Sequence, residues 1–266
     1  MSHNTQILHT GYGSLEVLTG GNGPALVFLH GEEGQRSWLA HHEQLANSFS
    51  VWAPTLPGMG KSQRPDWVES VPDMAKIMLN ALDKAGIGSC ILGGASIGGW
   101  VAAEMASMDP DHFNGLVLAG SQGLPTGHLN TPDIFLTPYR RYISLGYADS
   151  TSDAFQTMWP EELSDEAVEQ DLEIMELAAR LGFKPYMYDR SLLPSLARFE
   201  KPVLLVWGDK DIITPQVIAN QFKNGLAQAT IKTIAAAGHY VHLEQPRNFV
   251  EAVAEFGEFL VNKEVA

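Results

Sequence analysis

Short apolar runs alternate with amphipathic helical patterns along most of the chain. Several of these runs are continuously apolar, which is typical of parallel strands that are covered on both faces. Eight strands are predicted, at Gln6–Leu8, Leu15–Leu18, Ala25–Leu29, Ser50–Ala53, Ser89–Leu92, Gly115–Leu118, Val203–Trp207 and Thr230–Ile234. Helices are predicted between them, at Arg36–Ala46, Val71–Ala85, Ile97–Met108, Pro215–Gly225 and Pro246–Val261. This alternation predicts an α/β fold with a parallel or mostly parallel sheet flanked by helices.

The alternation stops between about Gln122 and Glu200. This stretch contains no convincing strand, but it has a helical run that begins after Ser164, a residue type that caps helix N-termini. We interpret it as a helical insertion rather than an independent domain. The predicted division is a core of residues 1–122 and 201–266 and a helical cap of residues 123–200.

Composition excludes several classes of function. The chain of 266 residues is 45% hydrophobic, and its formal charge of −14 opposes binding to nucleic acids and anionic membranes. Cys90 is the only cysteine, so no internal disulfide forms, and its apolar neighbours predict a buried strand position. The N-terminus does not resemble a signal peptide and no apolar run is long enough to span a membrane, so we expect a cytoplasmic protein.

One serine lies within a glycine-rich turn. Gly94-Ala95-Ser96-Ile97-Gly98 matches the pattern G-x-S-x-G, and it stands between a predicted strand and a predicted helix. This setting is typical of a nucleophile elbow, in which a strained serine presents its hydroxyl at the carboxyl edge of a sheet. Ser96 is therefore the candidate nucleophile.

A serine nucleophile needs a base and an orienting acid. His239 follows the last predicted strand, and Asp211 follows the strand before it, so both side chains are expected at the same sheet edge as Ser96. His242 and Asp209 are the competing candidates. His30 is expected to bond loop backbone. The remaining histidines are expected in exposed helices, loops or the tail: His3, His9, His41, His42, His112 and His128.

The strand that ends at Leu29 runs into His30-Gly31-Glu32, a loop that can turn backbone N–H groups inward. The N–H groups of Glu32 and Ile97 are the predicted oxyanion hole. We expect the Glu32 side chain to point outward, although contact with a substrate is left open.

These motifs resemble the α/β-hydrolase superfamily, in the group of small capped hydrolases that includes carboxylesterases, lactonases and carbon–carbon bond hydrolases of ring-cleavage products. The resemblance spans nearly the whole chain and rests on His30-Gly31, Pro57-Gly58-Met59-Gly60-Lys61-Ser62, Gly94 to Gly98, Trp207-Gly208 with Asp211, and Gly238-His239 with Glu244 and Pro246. It implies an eight-stranded sheet with a helical cap after the sixth strand. Serine at position 96, where dehalogenases and epoxide hydrolases of this fold have aspartate, argues against those activities. Thr55 stands where the family often has aspartate.

The predicted function is hydrolysis of a small neutral ester or lactone through an acyl-enzyme, with no metal and no organic cofactor. Two alternatives stay open. The first is cleavage of a carbon–carbon bond in a vinylogous diketone acid, with Arg190, Arg140 or Arg141 holding the substrate carboxylate. The second is a ligand-binding receptor or pseudoenzyme. A small-molecule substrate is the expected partner, and a homodimer is left open. Candidate substrate-binding residues are Gly31, Trp159, Arg190, Ile213 and Tyr240.

Overall fold

A computed structural model describes residues 3–127, 129–160, 162 and 164–265. The strands are β1 His3–Thr10, β2 Gly13–Gly20, β3 Ala25–Leu29, β4 Ser50–Pro54, β5 Cys90–Ala95, β6 Phe113–Ala119, β7 Val203–Gly208 and β8 Ala229–Ile234. The helices are α1 Ala40–Leu45, α2 Val71–Ala85, α3 Ser96–Met108, α4 Tyr139–Leu145, α5 Asp153–Met158, α6 Asp165–Gly182, α7 Leu192–Leu196, α8 Gln216–Gly225, α9 Val241–Glu244 and α10 Pro246–Val265. His128, which the sequence predicts to be exposed, lies outside the described residues.

The strands form one eight-stranded sheet in the order β1-β2-β4-β3-β5-β6-β7-β8. The pairs β1–β2 and β2–β4 are antiparallel and all the other pairs are parallel. The predicted mostly parallel sheet is therefore confirmed. Because β5 lies next to both β3 and β6, the carboxyl ends of three parallel strands meet around the turn that follows β5.

Helix α2 has the predicted bounds, because residues at both of its ends favour helix initiation and termination. The Ser70 side chain accepts a hydrogen bond from the Asp73 N–H, Pro72 lies in the first turn, and Gly86 ends the helix with φ of +66°. These are the start and stop signals that the sequence carries. The buried face of α2, which includes Met74 and Met78, packs on one side of the sheet.

The opposite side of the sheet is covered by α1 and α10, with Phe28, Phe49 and Phe249 among the buried residues between them and the strands. Cys90 is buried in β5 as predicted, and burial raises the pKa of its thiol to about 12, so it stays protonated and unreactive. No described helix is long and apolar enough to cross a membrane.

Helix α1 is shorter than predicted, beginning at Ala40 rather than Arg36. The Leu39 N–H donates to Nδ1 of His42, so a histidine ring caps the helix there. Arg36 instead extends away and pairs with Asp171 of α6 at 2.8 Å. A long-range ion pair thus replaces the first predicted turn.

Residues 123–200, called here the insertion, lie between β6 and β7 and carry α4 to α7. The described part of the insertion contains no strand, only an isolated bridge between Gly123 and Tyr188. Ser164 caps α6 by accepting from the Ala167 N–H, as predicted.

Candidate active site

The turn between β5 and α3 holds Ser96 with φ of +50°, in the left-handed region that non-glycine residues seldom adopt. A Cβ at Gly94 would lie 2.3 Å from the Gly98 carbonyl oxygen, and a Cβ at Gly98 would lie 2.2 Å from the His30 carbonyl oxygen. The two glycines are therefore required by close backbone contacts, one within the turn and one against the loop after β3. The geometry is that of the predicted nucleophile elbow.

The structure brings the three predicted triad residues together. Ser96 Oγ lies 2.5 Å from His239 Nε2, and His239 Nδ1 lies 3.0 Å from Asp211 Oδ2. Their exposed fractions are 1%, 1% and 6% respectively. The order serine, imidazole, carboxylate is the arrangement that activates a hydroxyl for nucleophilic attack.

The loop after β7 holds the Asp211 carboxylate in place. Its Oδ1 accepts hydrogen bonds from the N–H groups of Ile213 and Thr214, both at 2.9 Å. The Thr214 hydroxyl lies 2.9 Å from Asp211 Oδ2 and 3.1 Å from His239 Nδ1. Sequence reasoning missed Thr214, although a hydroxyl residue three positions after an aspartate is a recognisable turn signal. Asp209 is exposed and pairs with Lys210, as expected for the competing carboxylate.

The loop that carries His239 is anchored to the insertion. The His239 N–H donates to the Gly146 carbonyl at 2.6 Å. The Glu244 carboxylate accepts from the Gly238 N–H at 2.6 Å and from the Ala148 N–H at 2.8 Å. The position of the base therefore depends on contacts with residues nearly one hundred positions earlier in the chain.

Burial and nearby carboxylates act in opposite directions on His239. Burial lowers the pKa of its imidazole, but the adjacent Asp211 and the more distant Glu32 and Glu33 raise it, and the pKa ends above its ordinary value. A raised pKa makes the ring a stronger proton acceptor and stabilises the imidazolium that forms when Ser96 is deprotonated.

The loop after β3 approaches the nucleophile closely. A Cβ at Gly31 would lie 2.8 Å from the Ser96 Cβ, so only glycine fits there. His30 fixes the loop, since its Nδ1 donates to the Gly31 carbonyl at 2.8 Å and its Nε2 accepts from the Leu56 N–H at 2.9 Å. His30 thus bonds loop backbone, as the sequence predicts.

The Glu32 side chain does not point outward as expected. It is 1% exposed, and its Oε1 accepts a hydrogen bond from Gln122 Nε2 at 2.5 Å. Burial raises the pKa of the Glu32 carboxyl, although the nearby His239 ring and Ser96 hydroxyl act to lower it. The turn at Gly31 directs this side chain inward beside the nucleophile, which no local sequence signal reports.

Glu33, the next residue of the same loop, has different partners. Its Oε1 accepts from the Gly31 N–H at 2.9 Å and lies 3.0 Å from His242 Nε2. Burial alone would raise the pKa of Glu33, but the hydrogen bond to His242 and the electrostatic effects of His242 and His30 together lower it. His242, the competing candidate base, is therefore the partner of Glu33 and not of Ser96.

The prediction that His41 and His42 are exposed is wrong. Both are buried, at 2% and 1% exposure, because α1 packs between the sheet and α10. Their ring centroids lie 3.8 Å apart, and the His41 ring lies 4.9 Å from that of His242. Burial lowers the pKa of His42 to about 3. His3 and His9 are exposed as predicted, and His112 is half-buried.

Two of the other candidate substrate-binding residues, Tyr240 and Ile213, are buried next to the triad. The Tyr240 ring centroid lies 5.1 Å from that of His239, and the Ile213 N–H donates to the Asp211 carboxylate. Trp159 is buried in the insertion, where its ring lies 4.3 Å from the Arg36 guanidinium. Arg190 is exposed to solvent and is not buried with the triad.

Comparison with known proteins assigns the family. The sequence profile of the alpha/beta hydrolase fold matches residues 24–246, which is most of the chain. The chain belongs to the α/β hydrolase family. The predicted resemblance and the fold class are thereby confirmed.

Individual relatives of the chain are hydrolases of more than one kind. It is 28% identical to a pimeloyl-[acyl-carrier protein] methyl ester esterase of Nitrosomonas europaea, over 89% of this chain and 97% of that one. It is 27% identical to a 2-hydroxy-6-oxononadienedioate/2-hydroxy-6-oxononatrienedioate hydrolase of Burkholderia vietnamiensis, over 90% and 88%. A crystal structure of a membrane phospholipase A has the same fold, with a TM-score of 0.84, 22% identity and coverage of 98% and 87%.

Proposed function

We propose that the chain is a serine hydrolase that cleaves a small neutral ester or lactone through an acyl-enzyme. The observation that carries this proposal is the continuous hydrogen-bonded chain from Ser96 through His239 to Asp211 at a strained turn. The esterase of Nitrosomonas europaea among the relatives supports it. The net charge of −14 favours a neutral substrate over an anionic one.

In the proposed reaction, Ser96 Oγ attacks the acyl carbonyl while His239 Nε2 accepts its proton. Asp211 holds the imidazole in the tautomer that accepts at Nε2 and stabilises the imidazolium. The N–H groups of Glu32 and Ile97 bind the oxyanion, each such donor contributing roughly 3 kcal/mol to the transition state. Collapse of the oxyanion expels the alcohol, protonated by His239, and water then releases the acid from the serine. The chemistry requires no metal and no organic cofactor.

Access to the site involves the insertion. The Tyr139 hydroxyl donates to the Glu32 carbonyl at 2.6 Å, and Asp171 of α6 pairs with both Arg36 and Arg140. Because the triad side chains are buried, we expect these contacts of the insertion to rearrange when a substrate enters. The division into a core and a cap, the cytoplasmic location and a homodimer stay predictions.

Carbon–carbon bond hydrolysis is the second candidate, supported by the relative from Burkholderia vietnamiensis. The anionic substrate of such a reaction would meet the buried carboxyls of Glu32 and Glu33. Arg190 is exposed and Arg140 is paired with Asp171, so neither lies free beside Ser96. Turnover of a vinylogous diketone acid, without turnover of simple esters, would favour this candidate.

Hydrolysis of p-nitrophenyl esters of short to medium acyl chains tests the proposal. We expect Ser96→Ala to lower kcat/KM by at least about a thousandfold. Ser107→Ala, which removes a buried hydroxyl from the same helix, is the matched control and should retain activity. In the same assay Asp211→Asn should lower kcat strongly and Asp209→Asn only slightly. Ester turnover that survives Ser96→Ala would overturn the proposal.

A further inference from the structure

Four polar atoms of residues around the nucleophile are buried and make no hydrogen bond to any described residue: Glu32 Oε2, Glu33 Oε2, Gln122 Oε1 and the Tyr240 hydroxyl. All but Glu33 Oε2 belong to a group that we call the polar cluster, made of Glu32, Gln122, Tyr142 and Tyr240. Leaving a buried polar atom unpaired costs about 1–3 kcal/mol. A bound polar group that pairs with the atoms of the cluster would therefore be held by several hydrogen bonds.

Contacts place the polar cluster against the reacting groups. The Gln122 N–H donates to the Ser96 carbonyl at 3.1 Å, and its side-chain amide donates to Glu32 and lies 3.5 Å from the Tyr142 hydroxyl. Tyr240 directly follows His239, and the two rings lie 5.1 Å apart. A group bound to this cluster would thus sit close to the scissile bond.

The unpaired atoms define what that group must be. With the Gln122 amide nitrogen turned toward Glu32, its oxygen is left as an acceptor, and Glu32 Oε2 is a second acceptor when the carboxyl is ionised. The Tyr240 hydroxyl can donate or accept. The cluster contains no cationic side chain, so it does not suit a carboxylate or a phosphate.

We propose that the polar cluster is a specificity site for a hydroxyl group carried by the substrate close to the scissile carbonyl. The proposal deepens the ester or lactone hydrolase function above and rests on it. The hydroxyl would donate to Gln122 or Glu32 and accept from Tyr240, which satisfies the unpaired atoms. A site built to bond a substrate hydroxyl discriminates strongly against the analogue that lacks it, because the buried atoms are then left unpaired.

The test compares ethyl butanoate with ethyl 2-hydroxybutanoate, ethyl 3-hydroxybutanoate and 2-hydroxyethyl butanoate, using a pH-stat. We expect the wild type to prefer at least one hydroxylated ester by about tenfold or more in kcat/KM. Tyr240→Phe removes only the unpaired hydroxyl and should lower that preference several-fold, as should Glu32→Gln. The measured quantity is the ratio between two esters, because the intrinsic reactivity of each ester is the same for every variant.

Glu104→Gln is the matched control, since Glu104 is a buried carboxyl on α3 that bonds Trp100 outside the cluster. It should leave the ratio unchanged. Preferences that are equal in wild type, Tyr240→Phe and Glu32→Gln, or a preference for ethyl 3-oxobutanoate over its hydroxy analogue, would overturn the inference. Absence of Ser96-dependent turnover on every ester would instead reject the proposed function itself.

Discussion

Glu32 and Glu33 are neighbours in the loop after β3, and each is 1% exposed, yet their side chains bond different partners. Glu32 bonds an uncharged amide, and burial raises its pKa. Burial has the same effect on Glu33, but His242 and His30 reverse it and the pKa is lowered. The two residues differ in their partners rather than in their burial.

This difference gives the two carboxyls different roles. Each keeps its Oε2 without a hydrogen bond to a described residue. Glu33 Oε1 bonds both the Gly31 N–H and His242, so Glu33 stabilises the loop whether or not substrate is bound. Glu32 bonds only the Gln122 amide, so we expect its side chain to be the one whose interactions a ligand completes.

The largest effect expected is on stability. Glu33→Ala leaves the buried His242 ring and the Gly31 N–H without their partner, and each buried polar group left unpaired costs about 1–3 kcal/mol. Glu32→Gln keeps a bond to Gln122 and should change the free energy of unfolding by less than about 1 kcal/mol. Urea unfolding at neutral pH measures both values. Equal destabilisation by the two variants would contradict the different roles assigned to Glu32 and Glu33.

A smaller effect concerns the histidines behind Glu33. The pKa of His42 is about 3 in the folded chain against 6.5 for the ordinary side chain, so between these values only the unfolded chain binds the proton. The associated stability is complete above about pH 6.5 and is lost as the pH falls, by about 2 kcal/mol at about pH 5. Unfolding of wild type and His42→Gln at several pH values should show a shallower decline in the variant. His9→Gln, at an exposed position, is the control, and identical slopes in all three proteins would contradict the expectation.

The smallest effect is on the pH dependence of catalysis. His239 must be neutral to accept the serine proton, and Glu32 contributes to raising its pKa. Activity should rise as the pH increases through that pKa, and Glu32→Gln should move the rise to lower pH by less than about one unit. The kcat/KM profile on a p-nitrophenyl ester measures the shift. A rise displaced to higher pH would show that Glu32 does not act on His239 through its charge.

Local patterns were sufficient for the fold because they report burial and chain direction. The eight apolar runs correspond to the eight strands, the predicted bounds of α2 at Val71 and Ala85 are the observed ones, and the cap predicted at Ser164 precedes α6. The triad could be predicted for a related reason, since glycine turns at strand ends specify where Ser96 and His239 emerge.

Side-chain partners across the chain could not be predicted in this way. Glu33 and His242 are 209 positions apart, and Glu32 and Gln122 are 90 apart. Whether a carboxyl points inward or outward depends on packing between such distant segments. The burial of His41 and His42 was missed for the same reason, because it depends on α10 covering α1.

The central claim is that Ser96 becomes acylated, and mass spectrometry tests it most directly. The protein is mixed with p-nitrophenyl acetate, quenched with acid before the steady state, and digested, and the peptides are mapped. We expect one acetyl group on the peptide that contains Ser96, present in the wild type and absent in Ser96→Ala. Steady turnover of the ester with no acyl group on Ser96, or with the group on another residue, would contradict the account.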